Sequence, residues 1–242
     1  MPDLSTPDLP AVTTHNFADG NTQAAALAAC VAAQLRAGLA ARGYAVLAVS
    51  GGSTPQAFFA RLAQETLDWA HVHITLVDER WVPADNPRAN ARLVQATLLQ
   101  HAARSADFVP LYTGAATPEA GLAETAARIN ALPSPFDVVV LGMGDDGHTA
   151  SFFPGGDHLD AALNPHNPAA VVPMRAPTAD EPRITLTLAR LLATRALYLL
   201  INGAHKREVL ADAQLGLGVA QHYPVRAVLT QKRVPVAVYW CP

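Results

Sequence analysis

The sequence predicts an α/β fold: a mainly parallel sheet with helices on both faces. Three observations predict it. Short apolar runs alternate along the chain with Ala- and Leu-rich stretches, the pattern of βαβ units. The runs are apolar almost throughout rather than at every second position, as strands covered on both faces are. Half of the 242 residues are hydrophobic and only 15% are charged, enough for a substantial core.

The elements follow in order. The first dozen residues carry three prolines and are expected to be loose, and "AVTTHNF" (11–17) is a candidate edge strand. "NTQAAALAACVAAQLRAGLAAR" (21–42) is rich in helix formers; Asn21 or Asp19 can cap it and Gly43 can end it. "YAVLAVS" (44–50) predicts a buried strand, "TPQAFFARLAQ" (54–64) a helix opening at a proline, and "VHITLVDE" (72–79) a second strand. "RANARLVQATLLQHA" (88–102) predicts a helix, "DFVPLY" (107–112) a short strand and "PEAGLAETAARINAL" (118–132) another helix. "FDVVVLGMG" (136–144) and "RALYLLING" (195–203) predict strands, "AHKREVLADA" (204–213) a helix and "VPVAVYW" (234–240) the last strand. The Pro-rich stretch 164–183 reads as a long, turn-rich loop of the kind that borders a site. No repeat or linker divides the chain, so residues 1–242 read as a single domain.

Composition excludes several classes. A formal net charge of −3 gives no general attraction to nucleic acid or to an anionic membrane. Cys30 and Cys241 form neither a disulfide framework nor a zinc pattern and read as free thiols in a reducing compartment. The N-terminal residues lack the basic and apolar regions of a signal peptide, and no run reads as long enough to span a bilayer, so a cytoplasmic protein is expected. A monomer and a small homo-oligomer both remain open.

In open α/β sheets, ligands bind beyond the carboxyl ends of the strands. Four motifs fall there. In "VSGGSTPQAFF" (49–59), Gly51 and Gly52 allow close backbone approach, and Ser53 and Thr54 offer hydroxyls at a helix start, a seat suited to phosphate. No Gly-Lys-Ser/Thr follows, so it is not a Walker A loop. In "VDERWVPADNPRANARL" (77–93), Arg80 can grip a phosphate with its planar fork, and Arg88 and Arg92 are further candidates; a surface ion-pair cluster is the plain alternative. In "INGAHKREVL" (201–210), Lys206 in a first helical turn can add a point charge, or is simply solvated.

The fourth motif is "VVVLGMGDDGHTASFFPG" (138–155), a strand followed by GxGxxG. A dinucleotide site would want bare backbone at Asp145 and Asp146, and an acidic residue at the end of a strand about 20 positions on. That region, "HLDAALNPHNP", does not read as a strand. The glycines instead shape a turn that presents His148, a side chain suited to taking a proton from water, with Asp146 two residues away to orient it.

Five pieces in register, "VSGGSTP", "VDERWVP…DNPRANARL", "LGMGDDGHTASFFPG", "RITLTLARLL" and "INGAHKREVL", carry a resemblance over nearly the whole length. The chain resembles the bacterial 6-phosphogluconolactonases of the glucosamine-6-phosphate isomerase/6-phosphogluconolactonase superfamily. The resemblance implies a modified Rossmann-like, glucosamine-6-phosphate deaminase-like fold. It also implies hydrolysis of 6-phospho-D-glucono-1,5-lactone, the second step of the oxidative pentose phosphate pathway, with no cofactor and no metal. It makes His148 the general base and Asp146 its partner. By the same resemblance Gly51, Gly52, Ser53, Thr54, Arg80 and Lys206 would line the sugar-phosphate pocket, with Arg88 and Arg183 as further members.

Two alternatives share the fold. Glucosamine-6-phosphate deaminases typically carry "HIAFNEP" where this chain has "HTASFFP", so Phe152-Phe153 replaces their Asn-Glu pair. Sugar-phosphate-sensing domains of transcriptional regulators bind without catalysis, but usually bring a DNA-binding helix-turn-helix, for which no basic N-terminal segment is present.

Overall fold

A computed structural model describes residues 12–242. The expectation of a loose N-terminus falls on residues 1–11, which lie outside the described residues. In chain order the elements are β1 (Val12–Asn16), α1 (Gly20–Arg42), β2 (Ala45–Val49), α2 (Gln56–Leu62), β3 (Val72–Leu76), β4 (Asp78–Arg80), α3 (Asn90–Thr97), β5 (Asp107–Val109) and α4 (Pro118–Ala131). There follow β6 (Phe136–Leu141), α5 (Leu159–Leu163), β7 (Val171–Met174), β8 (Arg183–Leu186), α6 (Leu188–Leu192), β9 (Thr194–Asn202), α7 (Ala204–Leu215), α8 (Arg226–Leu229) and β10 (Val236–Cys241).

Seven strands form one sheet, in the order β1-β10-β9-β6-β2-β3-β5. Every pair in it is parallel. All residues of β2 and β6 are buried, as central strands covered on both faces must be. From β2 the chain moves outward through β3 to β5. It then returns to β6 on the other side of β2 and moves outward again through β9 and β10. The crossover point therefore lies between β2 and β6, and such points open a crevice at the strand ends.

Local chemistry explains the long first helix. The Asp19 carboxylate accepts hydrogen bonds from the amides of Asn21 and Thr22, both at 2.8 Å, and caps α1. Gly43 ends it in the left-handed conformation, φ 79°. With 23 residues and a mean hydropathy of 1.5 over its most apolar stretch, α1 is long and apolar enough to cross a bilayer, which corrects the expectation from sequence. It serves instead as a core helix: Leu27, Val31 and Leu35 are fully buried in the same apolar cluster as β2 and β6.

Two other expectations need correction. The run 72–79 is not one strand, because β3 ends at Leu76 and β4 belongs to a second, antiparallel sheet of order β4-β8-β7. Val77 is the joint. Its amide donates to Val49 O (2.9 Å) in the large sheet, and its carbonyl accepts from the Leu186 amide (2.9 Å) in the small one. The switch gives the carboxylates of Asp78 and Glu79 hydrogen-bond donors. The stretch 164–183 is not all loop either. It contains β7, whose Pro173 is accommodated because β7 is an edge strand.

At the amino ends of the strands, the buried Asp137 carboxylate accepts the Val46 amide (2.8 Å) and pairs with Arg42. Removing one partner of a buried ion pair leaves the other uncompensated. Asp137→Ala is expected to lower the unfolding free energy by about 2–4 kcal/mol in urea titrations. Activity of the folded fraction should stay unchanged, because the pair is remote from the carboxyl-end crevice. An unaltered midpoint would remove this pair from the stabilising contacts.

Candidate active site

A cavity of about 280 Å³ opens at the carboxyl ends of the strands beside the crossover. The ends of β2 and β6 are pinned together, since the Ser50 amide and hydroxyl both donate to Val140 O at 3.0 Å. The loop after β2 brings Gly51, Gly52 and Thr54 to the wall, and Ser53 is not brought there. Among the described residues, no backbone acceptor engages the amides of Gly51 to Thr54, which leaves donors for an anion.

The loop after β6 presents His148 to the cavity. Its Nδ1 lies 2.6 Å from Asp146 Oδ1, which also accepts the His148 amide at 3.1 Å. A carboxylate at Nδ1 fixes the tautomer, so Nδ1 carries the proton and Nε2 has its lone pair available. Half-burial would raise the Asp146 carboxyl, but the hydrogen bond and charge of His148 outweigh it and hold the group below its ordinary value. Asp146 itself stands behind the ring rather than in the wall. Phe153 packs against the imidazole with ring centroids 4.4 Å apart.

Two glycines of the GxGxxG pattern, Gly144 and Gly147, have packing reasons. A Cβ on Gly144 would stand 2.2 Å from the His148 ring, and Gly147 holds φ 72° with Tyr223 against its open side. No helix opens at this turn, as a dinucleotide site requires; the next helix is α5, eleven positions beyond His148. Ala150, also in the wall, holds φ 49°, a conformation rare outside glycine that marks local strain.

Three cations face the cavity: Arg80, Arg183 and Lys206. Arg80 and Arg183 are directly opposed across the β4–β8 pair. Like charges in that position repel, and both Nε atoms are buried without a partner. Burial pulls the Arg183 guanidinium below its ordinary value, the charge of Asp78 opposes this, and Arg80 adds to it. Arg183 is buried and Arg80 half-buried, Glu181 approaches Arg183 at 3.9 Å, and the two spare Nε donors suit an oxyanion. Lys206 is aimed by its hydrogen bond to Met143 O (2.7 Å) from the first turn of α7.

Arg88 is not brought to the wall. It pairs with Asp180 (2.9 Å) and Glu181, and its carbonyl accepts from Arg80. It thereby ties down the β7–β8 connection, whose Thr178 reaches the cavity. Sequence reasoning missed Asp78 and Asn90 as wall residues. The Asn90 side chain donates to Asp78 O at 3.0 Å. Glu79 behind them accepts three amides, from Arg80, Asn90 and Ala91, each at 2.7 Å. The sequence signal for this group was the Asp-Glu pair before Arg80, but its partners lie too far along the chain to be read.

Burial pushes Glu79 from its ordinary 4.5 up to about 7, against the pull of those three amides. A carboxyl raised in the folded state folds more readily when protonated, so its contribution is present below pH 4.5 and is lost as pH rises through 7. The Glu79→Gln variant is expected to lack this loss. Its thermal midpoint should change less than that of the wild type between those two pH values, and parallel profiles would contradict the shift.

Comparison with known proteins gives concordant matches. The family model described as glucosamine-6-phosphate isomerases/6-phosphogluconolactonase matches residues 18–240. A 6-phosphogluconolactonase of Rhizobium meliloti is 51% identical over 94% of this chain and 98% of its own. One of Mesorhizobium japonicum is 49% identical over 93% and 94%. The crystal structure of a 6-phosphogluconolactonase from Shewanella baltica superposes with a TM-score of 0.90 at 40% identity, covering 97% of this chain and all of that one.

Proposed function

The chain belongs to the glucosamine-6-phosphate isomerase/6-phosphogluconolactonase family, and from that premise we propose that it hydrolyses 6-phospho-D-glucono-1,5-lactone to 6-phospho-D-gluconate, the second step of the oxidative pentose phosphate pathway. The observation that carries this reading is the His148–Asp146 pair, 2.6 Å apart, opening on the same cavity as Arg80, Arg183 and Lys206. A proton acceptor and an anion seat within one small crevice suit a phosphorylated ester. The two free cysteines agree with a reducing cytoplasm.

In the proposed reaction the cations and the glycine loop hold the phosphate, which places the lactone carbonyl beside His148. Nε2 takes a proton from water as the water oxygen bonds to C1. The tetrahedral intermediate then collapses, the bond from C1 to the ring oxygen breaks, and His148 returns the proton to that oxygen. The new carboxylic acid loses its own proton to solvent. Asp146 keeps Nδ1 protonated throughout and stabilises the imidazolium in passing. No covalent enzyme intermediate is needed.

The deaminase reading requires polar groups where this chain has Phe152 and Phe153. Phe152 is fully buried, and Phe153 packs between His148 and the Arg183 guanidinium, 5.4 Å from its ring.

Lactone opening, followed with substrate generated in situ and EDTA present, tests the proposal. Wild type should open the lactone rapidly. His148→Ala should lose about 10²–10⁴-fold in kcat, the usual worth of a general base, while still binding 6-phosphogluconate. Background rates in wild type would sink the lactonase reading and favour a sugar-phosphate-binding module. Arg80→Ala should act mainly on KM, because it removes ground-state binding; an unchanged KM would take Arg80 out of the phosphate seat.

A further inference from the structure

The cavity that attracts anions also carries a buried carboxylate in its wall. Asp78 is 6% exposed. Its Oδ2 accepts the hydroxyl of the fully buried Ser151 at 2.5 Å, and the Asn90 amide approaches Oδ1 at 3.5 Å. Both donors are neutral. Among the described residues, no cation lies within salt-bridge distance of Asp78, although Arg183 feels its charge. An unpaired buried carboxylate is costly, and a stabilising role does not account for it.

The charge count suggests what it does. Three cations and one carboxylate face the cavity, and Glu181, 3.9 Å from Arg183, is engaged by Arg88 outside the wall, so a phosphate dianion cancels the surplus. The lactone bears no other charge. Its hydrolysis creates a second anion at C1. Without Asp78, one positive charge would remain, and a guanidinium grips a carboxylate as readily as a phosphate. The product would then bind better than the substrate and clog the site. With Asp78 in the wall, nothing is left to hold the new carboxylate. In a cavity of about 280 Å³ that carboxylate stays close to the fixed one, and repulsion at such range is worth about tenfold or more in affinity.

We propose, resting on the lactonase reading, that Asp78 is a specificity-determining residue that discriminates against the product by charge, so that the phosphorylated lactone is accepted and the phosphorylated aldonate is expelled. Ser151 and Asn90 hold its carboxylate with neutral hydrogen bonds, which fix its position without cancelling its charge.

Two probes test this by calorimetric or competitive binding: 6-phosphogluconate, and 6-phosphogluconamide, which has the same chain with an uncharged amide at C1. The wild-type protein is expected to bind the amide about tenfold more tightly than the acid. Asp78→Asn should bring the two affinities together by tightening the acid. Ser151→Ala, which keeps the charge, should preserve the preference. The idea is overturned if wild type binds the acid as tightly as the amide, or if Asp78→Asn shifts both ligands in parallel, as a lost hydroxyl contact or a distorted wall would. Should Asp78→Asn fail to fold, the wild-type comparison still decides. A failure of the lactonase reading shows separately, as absent turnover in wild type.

Discussion

The adjacency of β2 and β6 is the constraint on which the site depends. These two strands are far apart in sequence and become neighbours only because the chain reverses its direction of travel across the sheet. Ser50 locks their ends together through two hydrogen bonds to Val140 O. The glycine loop and the histidine turn leave from that one point, so the loop's unengaged amides and His148 come to face one cavity. Neither loop needs to be rigid alone. Each is held by the fully buried strand that feeds it, and a cluster of Leu, Val and Ile side chains holds the strands.

The second sheet adds what the first does not hold at the crevice. In the large sheet the buried carboxylate of Asp137 lies at the amino ends of the strands, away from the crevice. By leaving the large sheet at Val77, the chain places Asp78 and Arg80 in a three-stranded sheet with Arg183 opposite. Glu79 then fastens that strand to the start of α3 through its amide bonds. The result is a wall of charged residues mounted on regular backbone, a firmer support than a loop would give.

Much of this was legible in the sequence, and the exceptions share one cause. The strands of the large sheet and the long helices announce themselves by local composition, as in "YAVLAVS" and the Ala-rich run ending at Gly43. His148 and Asp146 are two residues apart, so their partnership follows from spacing. Arg183 was read from its resemblance alone, and its pairing with Arg80 joins positions a hundred residues apart that no local pattern connects. Asn90 and Asp78 escaped for the same reason. Arg88 misled in the opposite sense: it has the right chemistry and neighbourhood, but Asp180 and Glu181, remote in sequence, claim its guanidinium. The β7 strand was hidden by Pro173, which reads as a loop residue unless the strand is known to be an edge.

Two guanidiniums set face to face with spare Nε donors have a consequence beyond binding. Their like charges repel, and an oxyanion bound between them only in the folded state would raise its apparent stability. On the proposed reading, phosphate or sulfate in a storage buffer would bind the folded chain in its crevice. A melting temperature taken in such a buffer would then report the occupied protein, and a rate taken there a competition. The resilience of this fold would then be a joint property of the polypeptide and the salt it is dissolved in.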